Sequence, residues 1–204
     1  MEPVRQPRGY CRVYVDGQPA LTAPRRVVAS VGLHPGRTLD TEALDEAIVA
    51  AKEQEALDWA LRRLTGRDRT EEELRRGLAQ RKFPQPIIAT ALDRLREKGL
   101  IDDRRYARDY VRTQGERRGV GPAALRAKLV QLGVASSVVD EALAVEMPDE
   151  RQRDIAETVA RKRLPRLRTG EGDSRRSRLY AAIVRRGFDD DVAAYVVDKL
   201  LEDE

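Results

Sequence analysis

The residue types that could do chemistry in this chain are carboxylates in pairs and arginines in rows. Asp102-Asp103 is a carboxylate pair of the kind a metal-dependent nuclease uses to hold a divalent cation. The same two residues stand where a helix has to begin. A cap, in which a short side-chain oxygen accepts a bond from a free backbone N–H, fits that position better. His34 is the only histidine and Cys11 the only cysteine, so neither a zinc set nor an internal disulfide can be assembled. His34 sits in a turn beside Pro35-Gly36 with no partner in sequence. Gly119-Val-Gly121 lacks the Lys-Ser/Thr that completes a phosphate-binding loop. Trp59 falls at helical spacing among apolar residues, which suits packing more than a base-stacking platform. The expectation is a protein that is not an enzyme, with no catalytic residue, no cofactor and no metal.

The arginines carry more information. Arg104, Arg108 and Arg112 recur every four residues and form one stripe along a helix, opposite Tyr106, Ala107, Tyr110 and Val111. Arg117, Arg118, Arg126 and Lys128 extend that field. A second cluster follows at Arg161, Lys162, Arg163, Arg166 and Arg168. From Arg104 to Lys128 there are eight Lys/Arg against Asp109 and Glu116. From Arg151 to Arg186 there are twelve against Asp154, Glu157, Glu171 and Asp173. The net charge is only +4, so distribution matters more than the sum. Such local density favours a polyanion or an acidic protein surface. Arginine neutralises phosphates without reading bases and pairs two-pronged with carboxylates. Both partners stay open at this point.

These residues must be positioned by helices. Of the 204 residues, 36% are charged and 4% aromatic, with charges of both signs set at helical spacing among Ala, Leu and Val. That is a surface-rich helical chain rather than a disordered one. One exception lies near the start. Tyr10 to Val15 alternates, Asp16-Gly17 is a favoured two-residue turn, and Gln18 to Ala23 returns as a weaker strand with Pro19 suited to an edge. Pro24 opens a short helix that Gly32 ends. Asp40 or Thr41 caps a helix carrying Leu44, Ile48 and Val49 on one side.

From about Gln54 the chain repeats. Leu74, Leu125 and Leu179 correspond, as do Leu78, Leu129 and Ile183, then Phe83, Val134 and Phe188, then Ala91, Ala142 and Val196. The offsets are 51 and 54 residues, the period of tandem supersecondary units. Each unit reads as three helices. Thr70-Glu-Glu-Glu73 is a capping box, Gly121-Pro122 opens a second helix, and Leu164-Pro165 ends or kinks another. Thr169-Gly-Glu-Gly-Asp173 reads as a linker. The expected fold is mainly α: an N-terminal hairpin and helix module over 1–53, then three-helix repeats over 54–100, 101–147 and 148–204, in an extended array whose units touch mainly their neighbours.

The run Gly99-Leu-Ile-Asp-Asp-Arg-Arg-Tyr-Ala107 with Tyr110-Val111, followed by Gly119-Val-Gly-Pro122 and the Leu125, Leu129, Gly133-Val134 spacing, closely resembles the RecX family of bacterial regulators of the recombinase RecA. So does Arg69-Thr-Glu-Glu-Glu-Leu-Arg-Arg-Gly-Leu78 with Lys82-Phe83. The resemblance covers roughly residues 54–201 and implies that the three-helix repeats form an elongated curved stack. It implies binding to the RecA filament on DNA and inhibition of the recombinase's ATPase, strand exchange and coprotease activities, within DNA repair, recombination and the SOS response. It also implies contact with single- or double-stranded DNA, direct or through RecA. Pro84 and Pro86 around Gln85, and the long segment from Leu164 to Asp173, depart from the family pattern. A competing reading is a helix-turn-helix-like DNA-binding regulator, since three-helix units with Arg-rich faces resemble such modules. Against it, the second helices begin with Glu71-Glu72-Glu73 or Pro122-Ala-Ala124, which are poor at reading bases. The start lacks the apolar core of a signal peptide and no apolar run approaches the roughly 20 residues that span a bilayer. The expectation is a cytoplasmic monomer with no membrane partner.

Overall fold

Asp16 and Gly17, at φ 49° and 76°, close the turn between β1 (Tyr10–Val15) and β2 (Gln18–Pro24), the positive-φ pair that a type I′ hairpin requires. The antiparallel register runs Val15↔Gln18, Tyr14↔Pro19 and then Val13↔Leu21. Ala20 is thus an extra residue beside a proline that cannot donate to the ladder, which is where a bulge belongs. The computed structural model describes residues 9–38, 40–167 and 172–202. The side chains of Arg166 and of residues 172–174 also lie outside the description.

A hairpin of two strands is marginal alone. This one leans on α1 (Arg25–Ser30) and α2 (Thr41–Leu64) through a small buried cluster of Ala23, Val27 and Ala51. The Tyr10 hydroxyl donates to Asp58 Oδ2 at 3.0 Å and Arg26 pairs with Asp58 Oδ1 at 3.0 Å. Burial first, then the Asp58 bond, pushes the Tyr10 phenol up. Asp40 is the cap of α2, accepting from the Ala43 N–H at 2.8 Å.

The buried face of α2 differs from the expected one. Ala47, Ala51, Ala56 and Ala60, with Leu57, face inward, while Val49 is 47% exposed and Leu44 and Ile48 are half-buried. A seam of alanines lets β2 and the later helix α4 (Gln85–Glu97) lie close against α2, and bulkier residues are displaced to its flanks. α2 is also 24 residues long and runs unbroken through position 53. The hairpin module and the first repeat therefore share one helix.

α3 (Glu71–Gln80) opens with the capping box in full: Thr70 Oγ1 accepts from the Glu73 N–H at 3.2 Å, and Glu73 Oε2 accepts from the Thr70 N–H at 3.3 Å. Thr70 is completely buried. Burial raises the Glu73 carboxyl, but Arg67, the Thr70 N–H and Arg69 outweigh it and hold the group below the ordinary range. Leu74, Leu78, Ile88, Leu92 and Leu95 then form the core of the first compact unit, which ends at Ile101.

The second unit, Asp102–Glu204, contains α5 (Asp103–Arg118), α6 (Pro122–Gln131), α7 (Ser136–Glu146), α8 (Asp149–Arg163), α9 (Gly172–Val184) and α10 (Asp190–Glu202). Pro165 ends α8 as its missing N–H demands, and Leu164–Leu167 tightens into a 3-10 turn. Of the expected linker, residues 169–171 lie outside the described residues, and Gly172 and Asp173 are already in α9. The repeat equivalents are buried in both units: Leu74, Leu125 and Leu179 at 0–1% exposure.

Within the second unit, the core is one continuous cluster that runs from Ala107 and Val111 to Val197 and Leu200. Its two helix triplets meet backbone to backbone. The Gly121 N–H donates to the Arg186 carbonyl at 2.8 Å and the Ala123 N–H to the Gly187 carbonyl at 3.0 Å. A Cβ on Gly121 would stand 2.3 Å from the Gly187 carbonyl carbon, and one on Gly187 would stand 2.5 Å from the Ala124 nitrogen. Only glycine at both positions allows this approach. No helix among the described residues is long and apolar enough to cross a membrane.

Candidate functional site: a basic cleft in the second unit

Asp102 accepts from the Arg105 N–H at 3.0 Å and caps α5, so the first carboxylate of the pair is occupied by helix capping. Among the described residues there is no group of His, Cys, Asp and Glu able to hold a metal. Ala107 and Val111 are fully buried, and Tyr106 stacks on Tyr110 with centroids 6.1 Å apart. This fixes the opposite face of α5 toward solvent.

The arginine stripe on that outer face is not free. Arg104 and Arg108 share Glu141 of α7, at 3.8 and 3.1 Å, and Arg112 pairs with Asp109. Arg126 is held by Asp140, and Lys128 donates to Gln131 at 2.9 Å. Arg161 lies 2.7 Å from Glu157, which Lys199 also holds at 2.7 Å. Lys199 and Arg161 together keep the Glu157 carboxyl below the ordinary range. Exposed pairs of this kind are worth only about 0–1 kcal/mol each, yet a partner must break them before using those cations.

Four of the expected residues are different. Arg117 and Arg118, in the last turn of α5, and Lys162 and Arg163, in the last turn of α8, make no ion pair among the described residues, and all four line one cavity of about 480 Å³. Arg168 lies outside the described residues, as does the side chain of Arg166. The remaining wall comes from Gly119, Ile155, Thr158, Val159, Ala182 and Arg186, with Glu116 and Asp154 as its acids. Arg151 takes up Glu116. The two helix ends contribute roughly one negative charge between them. Against four full cations and Arg186, the cleft remains positive.

Arg186 is the residue of this cleft that sequence reasoning missed. Its Nη1 donates to the Arg118 carbonyl and, at 3.5 Å, to that of Gly119. It thereby satisfies free carbonyls at the end of α5 and ties α9 to the wall that carries Arg117 and Arg118. The signal available was faint: an arginine one residue before a glycine at a helix end.

With this geometry in hand, the comparisons with known proteins are specific. Residues 56–95 match the family model described as RecX, first three-helix domain, and residues 102–143 match RecX, second three-helix domain. Regulatory protein RecX of Mycolicibacterium vanbaalenii is 38% identical over 174 residues, covering 82% of this chain and 92% of that protein. The chain belongs to the RecX family. Regulatory protein RecX of Levilactobacillus brevis is 32% identical, over 94% of this chain and 72% of its own. A crystal structure of regulatory protein RecX superposes with a TM-score of 0.79 at 29% identity, covering 94% of this chain and 96% of that one. RecX from Lactobacillus salivarius superposes at 0.70 with 23% identity, over 74% and 97%, a likeness of fold. The RecX motif noted in sequence, Gly99 to Tyr110, thus holds the α5 cap and the aromatic pair that set the basic residues outward.

Proposed function

We propose that this protein is a non-enzymatic regulator of the RecA recombinase that binds the RecA–DNA filament and inhibits its ATPase, strand-exchange and coprotease activities. Membership of the RecX family supports the general reading. The observation that carries the site is the cleft of the second unit, where Arg117, Arg118, Lys162 and Arg163 converge without carboxylate partners among the described residues. A cleft that gathers four cations with no ion pair among the described residues, beside a stripe whose arginines are all paired, is suited to an anionic partner. Phosphates of filament-bound DNA and carboxylates of RecA are both of that kind. The division into an N-terminal module and three repeats is part of the same proposal, each repeat offering its own basic surface.

Helix-turn-helix recognition of duplex DNA is the weaker reading. The start of α3 is Glu71-Glu72-Glu73, and Arg126, the strongest candidate on α6, is held by Asp140. The deciding experiment titrates the protein into RecA filaments on single-stranded DNA while following ATP hydrolysis, with binding to naked duplex measured in parallel. Inhibition at concentrations where duplex is not bound is the expected result. Duplex binding without any effect on the filament would favour the second reading.

A further inference from the structure

The first unit has a basic cavity of its own, built around an aromatic ring. Trp59 of α2 packs one side against the core of that unit and remains half-buried. A Cβ on Gly77, in the middle of α3, would fall 2.2 Å from the tip of the indole ring. The ring therefore lies across α3 in space that any other residue would fill, and a helix interior carries a glycine there despite its poor propensity. The Arg63 guanidinium stands 5.2 Å from the ring centroid, within cation–π range. The space beside it, about 410 Å³, is also bordered by Gln80 and Arg81.

The charges around the ring divide as they do in the second unit. Arg69 and Arg76 are engaged by Glu73 at 3.7 Å and by Glu72 at 2.7 Å. Arg63 and Arg81 have no carboxylate partner, and the Trp59 indole N–H no acceptor, among the described residues. A flat π-surface, one movable guanidinium above it, a free N–H donor and a second uncommitted arginine at the rim make a set that an acidic peptide would use only in part.

We propose that this cavity binds one unstacked base of a single-stranded nucleic acid, laid against the Trp59 ring. Arg63 closes over the far face of the base and Arg81 holds an adjoining phosphate. Stacking of this sort tolerates any base and discriminates against duplex, whose bases are already stacked. The site belongs to the first unit alone. It stands whether or not the cleft of the second unit engages a recombinase filament, and it is tested without RecA.

Trp59 is the only tryptophan in the chain, so its fluorescence reports directly on the site. Oligo-thymidylate is expected to quench it saturably, and a duplex at equal nucleotide concentration is not. In anisotropy with a labelled oligonucleotide, Trp59→Ala weakens binding about tenfold, in the range that stacked aromatics supply, while Trp59→Phe keeps most of the affinity. Arg81→Ala lowers the log–log salt slope by about 0.7, one single-strand phosphate. Should Trp59→Ala fail to fold, Arg63→Ala and Trp59→Phe carry the test. The proposal is overturned by oligonucleotide binding that leaves Trp59 emission unchanged, by equal quenching from duplex, or by an absence of oligonucleotide binding. Quenching by oligo-glutamate but not by oligo-thymidylate would also overturn it, in favour of an acidic protein segment.

Discussion

The stripe along α5 and the Arg117–Arg118 pair at its end are made of the same residue on one helix, and they differ in what surrounds them. Arg104, Arg108 and Arg112 look across at Glu141 or back at Asp109. Arg117 and Arg118 look into a cavity whose other cations arrive from α8 and from the turn after α9. Whether an arginine on a helix face is paired is therefore decided by the neighbouring chain and not by its own helix. The stripe contributes modestly to holding α5 on α7. The cations of the cleft make no ion pair among the described residues and contribute little to folding.

The most severe way to break this contrast is to part the walls of the cleft. Gly187→Ala sets a Cβ 2.5 Å from the Ala124 nitrogen at a residue with φ +90°, and should cost about 3 kcal/mol from overpacking and backbone strain together. The urea midpoint followed by circular dichroism measures it, and inhibition of the filament should fall with it. A parent-like midpoint would mean that the seam of Gly121 and Gly187 does not hold the second unit together.

The comparison is sharpened by paired variants. Changing Arg117, Arg118, Lys162 and Arg163 together to Ala should weaken filament binding more than tenfold, or about 1.4 kcal/mol. Stability should change by less than about 1 kcal/mol. If phosphates are the partner, the log–log salt slope should flatten by as much as about 3. The triple change of Arg104, Arg108 and Arg112 to Ala should do less to binding and cost about 0.5 kcal/mol of stability per pair lost. A larger binding loss in the stripe variant would reverse the assignment.

Smaller effects test the supports. Asp102→Ala removes the cap of α5 and should cost about 1 kcal/mol, read from thermal or urea unfolding. The slightest effect is with pH. The folded-state Glu73 carboxyl lies below its ordinary value of 4.5. Its contribution is therefore present above that value and is lost as pH falls through the lower folded one. An acid titration of stability from pH 5 downward should be shallower in Glu73→Gln than in the parent; identical curves would show that the capping box adds nothing measurable.

What the sequence made visible were features set by near neighbours or by strict period. Thr70 and Glu73 announce a capping box because both partners lie within one turn. Asp16-Gly17 announces a hairpin because few residues accept positive φ. Leu74, Leu125 and Leu179 announce equivalent cores because the same packing problem recurs at fixed spacing. The state of each arginine was not visible, since it depends on distant chain: Glu141 stands 33 residues from Arg108, and the Arg118 carbonyl stands 68 from Arg186. Val49 was misplaced for a related reason. Amphipathic spacing favours bulk on the inner face, whereas the close approach of β2 and α4 to α2 selects alanine.

The glycine seam also sets a clock. The amide hydrogens of Gly121 and Ala123 are tied to carbonyls on the far triplet of helices, so deuterium can replace them only when the two triplets separate. With one continuous core beneath them, that separation requires opening most of the second unit. The two amides should be among the slowest to exchange in the chain, while those of the short hairpin, resting on three small buried residues, should exchange through local fraying long before.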